Sequence, residues 1–347
     1  MADTSYKLKY INDDFQVTEV SLMPDITLKR PFKYSYVWIQ KSAFTTFEVL
    51  EKIKDFFNLK FDDVRSQGLK DEDAITEQLI SIKRVLTDKD IAVFNKKHKF
   101  KNKFSRIKNI VGYGREPVKE RELHGNSFRI VIRNLEKTLA DNFLSYILNN
   151  KYLYFVNYYD NQRFGMPGGP YNTHLIGKAI VENDWKQAYE QMKITSNVYS
   201  DAATKKGDFA DFKEIFKSIS PKKIAFFVSA YDSFLWNNQA SLTVRENTKS
   251  KCHLFENVGE LYLPIDHLSQ CPSICEVDGF DFLTEKFSVQ PMVYKRNLVI
   301  ATIVYTSQPE IDELHKGKKK ITVSFFLPTG SYATMIIKQI FLRLQDK

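Results

Sequence analysis

The chain has 347 residues, of which 43% are hydrophobic, 27% charged and 14% aromatic. That composition excludes a disordered or fibrous polypeptide and suits about two domains of roughly 100–200 residues each. The net charge of +9, set among 27 Phe and 18 Tyr, favours a polyanionic partner, RNA above all, whose bases stack on rings while its phosphates attract cations.

Cys252, Cys271 and Cys275 make an odd count with no disulfide framework. The C-x-x-x-C pair has no second ligand pair beside it, so small packing residues in a reducing compartment are preferred to a metal site. The N-terminus M-A-D-T-S-Y-K-L-K-Y has no apolar leader core. No run approaches the ~18 apolar residues of a membrane span. A cytoplasmic protein without a membrane partner is expected.

Along the chain, Tyr6 to Ile11 and Phe15 to Val20 read as short extended pieces around the turn N-D-D. Thr45 to Leu59 predicts a helix. Thr45 and Glu48 have capping-box spacing, and Phe47, Leu50, Ile53, Phe56 and Phe57 share a face. Phe94 to Lys108 carries seven Lys/Arg and no acid, interleaved with three Phe. It is either a solvated face or an RNA contact. Ser127 to Asn134 alternates, with Phe128, Ile130 and Ile132 opposite Arg129, Val131 and Arg133, as a half-buried strand does. A helix over Thr138 to Leu148 follows.

From Asn157 the texture changes to a Gly/Pro-rich loop that no helix can cross. Helices are predicted over Ile180 to Met192, Phe209 to Phe216 and Lys223 to Asn237. Lys316 to Lys320 reads as a hairpin tip, Ile321 to Phe326 as a strand, and Tyr332 to Leu344 as a helix burying Ile336, Ile337, Ile340 and Leu344.

The chain contains no phosphate-binding glycine loop, no H-E-x-x-H and no G-x-S-x-G, and no two of its six histidines have ligand spacing. Carboxylates remain, and Asp71 has the most particular setting, in G-L-K-D-E-D-A-I-T-E-Q from Gly68 to Gln78. Taken alone it is a turn aspartate beside Lys70. It stands, however, in an ordered series. D-D-F-Q-V-T-E-V from Asp13 precedes it; G-N-S-F-R-I-V-I-R from Gly125, N-Y-Y-D-N-Q-R-F-G from Asn157 and F-F-L-P-T-G-S-Y-A-T from Phe325 follow.

In this order the set resembles the TruD family of tRNA pseudouridine synthases, over nearly the whole chain. Two positions depart from the family pattern. Asp160 stands where glycine is usual, and Thr329 falls at the variable position of the L-P-x-G turn.

The resemblance implies an α/β (α+β) fold. A catalytic domain with a mixed, largely antiparallel sheet would comprise residues 1–154 and 309–347, and a family-specific α/β domain would be inserted at 155–308. It implies conversion of uridine to pseudouridine in tRNA, at position 13 of the D arm for bacterial members. Asp71 would be the catalytic carboxylate and Lys9 the basic residue beside it. Phe15, Gln78, Asn126, Phe128 and Tyr332 would line the uridine pocket, with Phe128 stacking on the base. Lys70 and Arg163 would hold phosphates. A carboxylate acting on the ribose needs neither metal nor redox cofactor, and no obligate protein partner is implied. The same chemistry on another RNA, or an RNA-binding or RNA-folding protein without catalysis, are the alternatives.

Overall fold

The computed structural model describes residues 6–22, 26–27, 32–98, 103–165, 169–195, 212–255, 259–265, 268 and 270–344. They form two compact units, Met1–Leu153 with Thr302–Gly330, and Tyr154–Ala301 with Ser331–Lys347. Among the described residues, no helix is long and apolar enough to cross a membrane. Residues 99–102 of the basic run, 166–168 of the Gly/Pro loop and 209–211 of a predicted helix lie outside the described residues.

The first unit contains strands β1 (Phe15–Ser21), β2 (Tyr34–Ser42), β3 (Val64–Ser66), β4 (Ile75–Ile82), β5 (Phe104–Gly114) and β6 (Leu123–Leu135). Its helices are α1 (Thr46–Phe57), α2 (Asp88–Lys97) and α3 (Lys137–Asn149). Among the described residues, its sheet has nine strands. The order is Tyr305–Thr306, Lys319–Pro328, β6, β1, β4, β2, β5, with Glu310–Ile311 beside Lys319–Pro328 and β3 beside β4. Only β1 and β4 run parallel, so the sheet is mixed and largely antiparallel as expected.

Register decides which side chains share a face, because residues directly opposite each other point the same way. Val17 lies opposite Phe128 and Thr76, Phe128 opposite Phe325, and Ile39 opposite Gln78 and Ile107. On the β2–β4–β5 half of this face, Val37, Ile39, Ile80, Ile82 and Ile107 form one core with α1 and α2. Helix α1 forms because Thr45 and Glu48 close the predicted capping box, and its buried stripe is Val49, Leu50, Ile53 and Phe57. Phe47, expected on that stripe, is 53% exposed. Thr46 turns inward in its place because its hydroxyl is tied to Gln78. The basic tip at Lys316 to Lys320 lies at the turn between two paired strands, with Lys318 on Glu136 and Lys320 on Glu313.

The second unit is organised on the long helix Pro221–Asn247, which begins with proline at its first turn, where no amide partner is needed. Trp236, Ala240 and Val244 of this helix pack with Leu261, Leu263, Leu298 and Met335. Thr173–Val181 crosses it so closely that a first side-chain carbon on Gly177 would lie 2.0 Å from the Phe227 carbonyl oxygen. The helix expected over Ile180 to Met192 is two helices, Thr173–Val181 and Trp185–Thr195. The break falls at Asn183, whose φ of 57° is a left-handed conformation that asparagine tolerates.

Residues 331–344, expected with the first body, cluster with the second. The cause is visible at Gln339 of helix Ala333–Leu344. Its carboxamide accepts from Val156 N and donates to Val156 O, both at 2.9 Å, as a neighbouring backbone would. The predicted Ile336, Ile337, Ile340 and Leu344 are all buried.

Candidate active site

An alternating sheet face should be apolar throughout, yet near its middle it carries Lys41 on β2, Thr76 and Gln78 on β4 and Glu19 on β1, all buried. Two of them, Lys41 and Gln78, grip the loop from Gly68 to Asp71 together with Thr46. Thr46 Oγ1 donates to Gln78 Oε1 at 3.1 Å and accepts from the amide of Lys70 at 3.0 Å. Gln78 Nε2 donates to the Gly68 carbonyl at 3.3 Å. Lys41 Nζ donates to the carbonyls of Lys70 at 3.1 Å and Asp71 at 2.6 Å. A loop that turns its backbone toward a core must find such partners, since an unpaired buried carbonyl or amide is costly.

Held this way, Asp71 presents its carboxylate partly to solvent. Its Oδ2 accepts from Lys9 Nζ at 2.8 Å, and the two side chains are 26% and 23% exposed. Lys9 reaches it from a left-handed backbone, φ 52°. The same Nζ sits 4.4 Å from the centre of the Phe15 ring, a favourable place for a cation. Phe15 meets Phe128 edge-on at 6.0 Å, and Phe128 stacks on Phe325 at 5.6 Å. Phe128 is only 8% exposed. It is therefore a member of a packed aromatic column rather than an open stacking platform. Beside it, Asn126 lies opposite Glu19 and Leu327, with its Oδ1 buried and without a hydrogen-bond partner among the described residues.

Lys70, expected to hold a phosphate, points inward. Its side chain is 5% exposed and Nζ stands 3.9 Å from Glu19 Oε1. Glu19 Oε2 accepts from the Leu79 amide at 3.2 Å. Burial raises the pKa of Glu19 against the opposing pull of Lys70, and burial lowers that of Lys70 against the opposing pull of Glu19. The pair braces the loop from below. It has no charge left over for RNA.

The segment that carries Lys9 is anchored by residues the sequence did not single out. Lys7 and Arg133 exchange backbone hydrogen bonds of 2.9 and 3.0 Å. Arg133 Nε lies 2.8 Å from both Asp14 oxygens, and Nη1 lies 2.8 Å from Asp312 Oδ1. Asp312 also accepts from the amides of Asn134 and Leu314 and from His315 Nδ1. Burial alone would raise the pKa of Asp312. The two amides, His315 and Arg133 outweigh it and hold the carboxyl at about 2.

Arg163 and Tyr332 belong to the second unit. Arg163 donates to Ser233 Oγ at 3.0 Å and Ser229 Oγ at 2.7 Å, and lies 4.7 Å over the Phe226 ring. Tyr332 is half-buried against Tyr159 at 5.8 Å, and burial pushes its hydroxyl pKa up to about 12. Asp160 takes an extended backbone, φ −90° and ψ 168°, which asks for no glycine. Its buried carboxylate accepts from Lys338 at 2.6 Å, from Thr334, and from the Asn161 amide at 2.8 Å. The departure from the family pattern thus ties the Asn157–Gly165 loop to the last helix.

Among the described residues, no group of three or more His, Cys, Asp or Glu is placed to hold a metal ion. What the first unit presents is a partly exposed carboxylate with a lysine partner on a loop clamped to a mixed sheet, the layout of an acid–base or nucleophilic site. The sequence model described as tRNA pseudouridine synthase D (TruD) matches residues 1–208. The chain is 22% identical to the tRNA pseudouridine synthase D of Leptospira interrogans, over 97% of this chain and 96% of that protein. It is likewise 22% identical to the protein of that name from Aquifex aeolicus, over 96% and 98%. The crystal structure of a TruD protein from Methanosarcina mazei shares its fold, with TM-score 0.60, 19% identity, and 97% and 93% of the two chains covered. The chain belongs to the TruD family of tRNA pseudouridine synthases.

Proposed function

We propose that this enzyme converts uridine to pseudouridine at position 13, in the D arm of tRNA, and that Asp71 carries the reaction. The observation that supports this most is the Lys9–Asp71 pair, a partly exposed carboxylate with a cation 2.8 Å from one oxygen. The reaction breaks the C1′–N1 bond of uridine, turns the freed uracil and rejoins it to C1′ through C5. Nothing is gained or lost overall. A carboxylate serves as nucleophile or base toward the ribose, and it must be ionised when the substrate has displaced water. Exclusion of water by the substrate disfavours the charged carboxylate, and an adjacent ammonium offsets that cost. Lys9 fills this role.

The target base lies inside folded RNA and has to be extruded to reach the carboxylate. In this reading, Asn126, with its unpartnered Oδ1, meets the polar edge of the extruded base. Phe15 and Phe128 form the apolar floor under Lys9, and Gln78 acts through the loop backbone. The first unit then carries the chemistry, and Arg163 and Tyr332 are the RNA-facing candidates of the second. Pseudouridine mapping across total RNA, with and without the protein, tests the assignment. A new modification confined to the D arm of tRNA is expected. Modification of another RNA class would overturn the substrate, and RNA binding with no modification anywhere would favour an RNA-folding protein.

A further inference from the structure

Lys41 has no assigned role, and its position is unusual. It sits on a central strand, its side chain is fully buried at 0% exposure, and among the described residues no carboxylate forms an ion pair with its ammonium. The partners of Nζ are the carbonyl oxygens of Lys70 and Asp71, at 3.1 and 2.6 Å. Burying a cation without a counter-ion is costly, and chains seldom keep one where an apolar residue would pack.

We infer that Lys41 is a positioning residue for the pseudouridine synthase reaction, its ammonium fixing the backbone of the Asp71 loop so that the carboxylate meets the ribose in one orientation. The inference rests on the reading of Asp71 given above.

Two consequences separate this role from simple packing. Gripping both carbonyls requires the donors and charge of the ammonium. A methionine of similar length would fill the space but make neither hydrogen bond, loosening the loop at Asp71. Displacing a reacting group by about 1 Å costs about 100-fold in rate, while RNA contacts elsewhere are untouched. The grip is also sensitive to pH. Burial pushes the Lys41 pKa down to about 8. Asp71, Glu72 and Glu48 offset this only in part, and Lys70 adds to the depression. Above that pH the side chain loses the proton and charge with which it holds the loop.

The test uses the full chain and a tRNA transcript under single-turnover conditions, comparing wild type, Lys41→Met and Asp71→Asn. Lys41→Met is expected to keep its RNA dissociation constant within about twofold and lose rate about 100-fold. The wild-type rate constant is expected to fall as pH rises from 7 to 9. Lys41→Met, having no proton to lose there, is expected to give a flat profile. A wild-type rate in Lys41→Met beside an inactive Asp71→Asn would overturn the role of Lys41 alone. An active Asp71→Asn would overturn the reading beneath it. If Lys41→Met folds poorly, a wild-type rate constant that stays level from pH 7 to 9 is the result that contradicts the proposal.

Discussion

Two ion-pair clusters in the first unit draw on the same short N-terminal stretch, and they are built in opposite ways. Lys9 and Asp71 pair at 2.8 Å, with about a quarter of each side chain exposed. Arg133, a few residues away through Lys7 and Asp14, is 4% exposed and shared among Asp14, Asp312 and Glu313. In the second cluster Arg133 is matched by three carboxylates and Asp312 by amides as well as cations, so the cluster can only hold. In the first, the carboxylate faces solvent over a lysine, so a substrate can approach. A buried pair is strongly destabilising to break because it strands a charge, whereas an exposed pair contributes little to folding. The structural cluster keeps Lys9 within reach of Asp71.

The contrast breaks most visibly at Asp312. Asp312→Ala should cost about 3–5 kcal/mol of folding stability, read from denaturant unfolding, because Arg133 loses one of its two buried carboxylates and the Asn134 and Leu314 amides lose their acceptor. Activity per folded molecule should survive. The folded-state pKa of Asp312, about 2, is below its unfolded value of roughly 3.9. Its contribution is therefore complete above about pH 4 and lost as pH falls toward about 2. Acid unfolding of Asp312→Asn should lack that component. A variant as stable as wild type would make the cluster incidental.

Phe128→Ala is expected to cost a comparable 3–5 kcal/mol, since the ring is 8% exposed between Phe15 and Phe325. A nearly unchanged melting temperature with lost activity would return Phe128 to the role of an open stacking platform. Lys9→Met should leave stability within about 1–2 kcal/mol, since the pair is partly open to solvent and the methionine keeps the packing on Phe15. It should lower the single-turnover rate by roughly 10–100-fold, equivalent to about 1.4–2.7 kcal/mol on the barrier. The smallest effect is expected outside both clusters. Lys96 and Lys97 form the basic last turn of α2. Replacing both with Ala should flatten the log–log salt dependence of RNA binding by roughly 0.7–0.9 per lost phosphate contact. An unchanged slope would make this an ordinary solvated face.

The parts of this arrangement that sequence revealed were local. The Thr45 and Glu48 capping box and the alternation of β6 are written in neighbouring residues, and both elements formed. Strand β2 escaped because it is buried on both faces, Tyr36 on one and Val37 and Ile39 on the other. Such a strand shows no alternation to read. The motif series pointed to Asp71 and Lys9, but no local signal marks Lys41 or Thr46. Their polar groups make sense only once strand register brings them under the loop. Arg133 looked like a solvent-facing strand residue, because the carboxylates that bury it lie 119 and 179 positions away. Lys70 turns inward for the same reason, its partner Glu19 lying on β1, far from the loop in sequence.

If Asp71 does chemistry and not architecture, Asp71→Asn separates the two. The amide keeps the shape of the side chain but cannot act as nucleophile or base. Under single-turnover conditions on a tRNA transcript, pseudouridine formation should fall by about 10³-fold or more. The melting temperature and RNA affinity should stay close to wild type, since the pair is partly open to solvent and the amide keeps a hydrogen-bonding oxygen toward Lys9. A well-folded Asp71→Asn that forms pseudouridine near the wild-type rate would contradict the account.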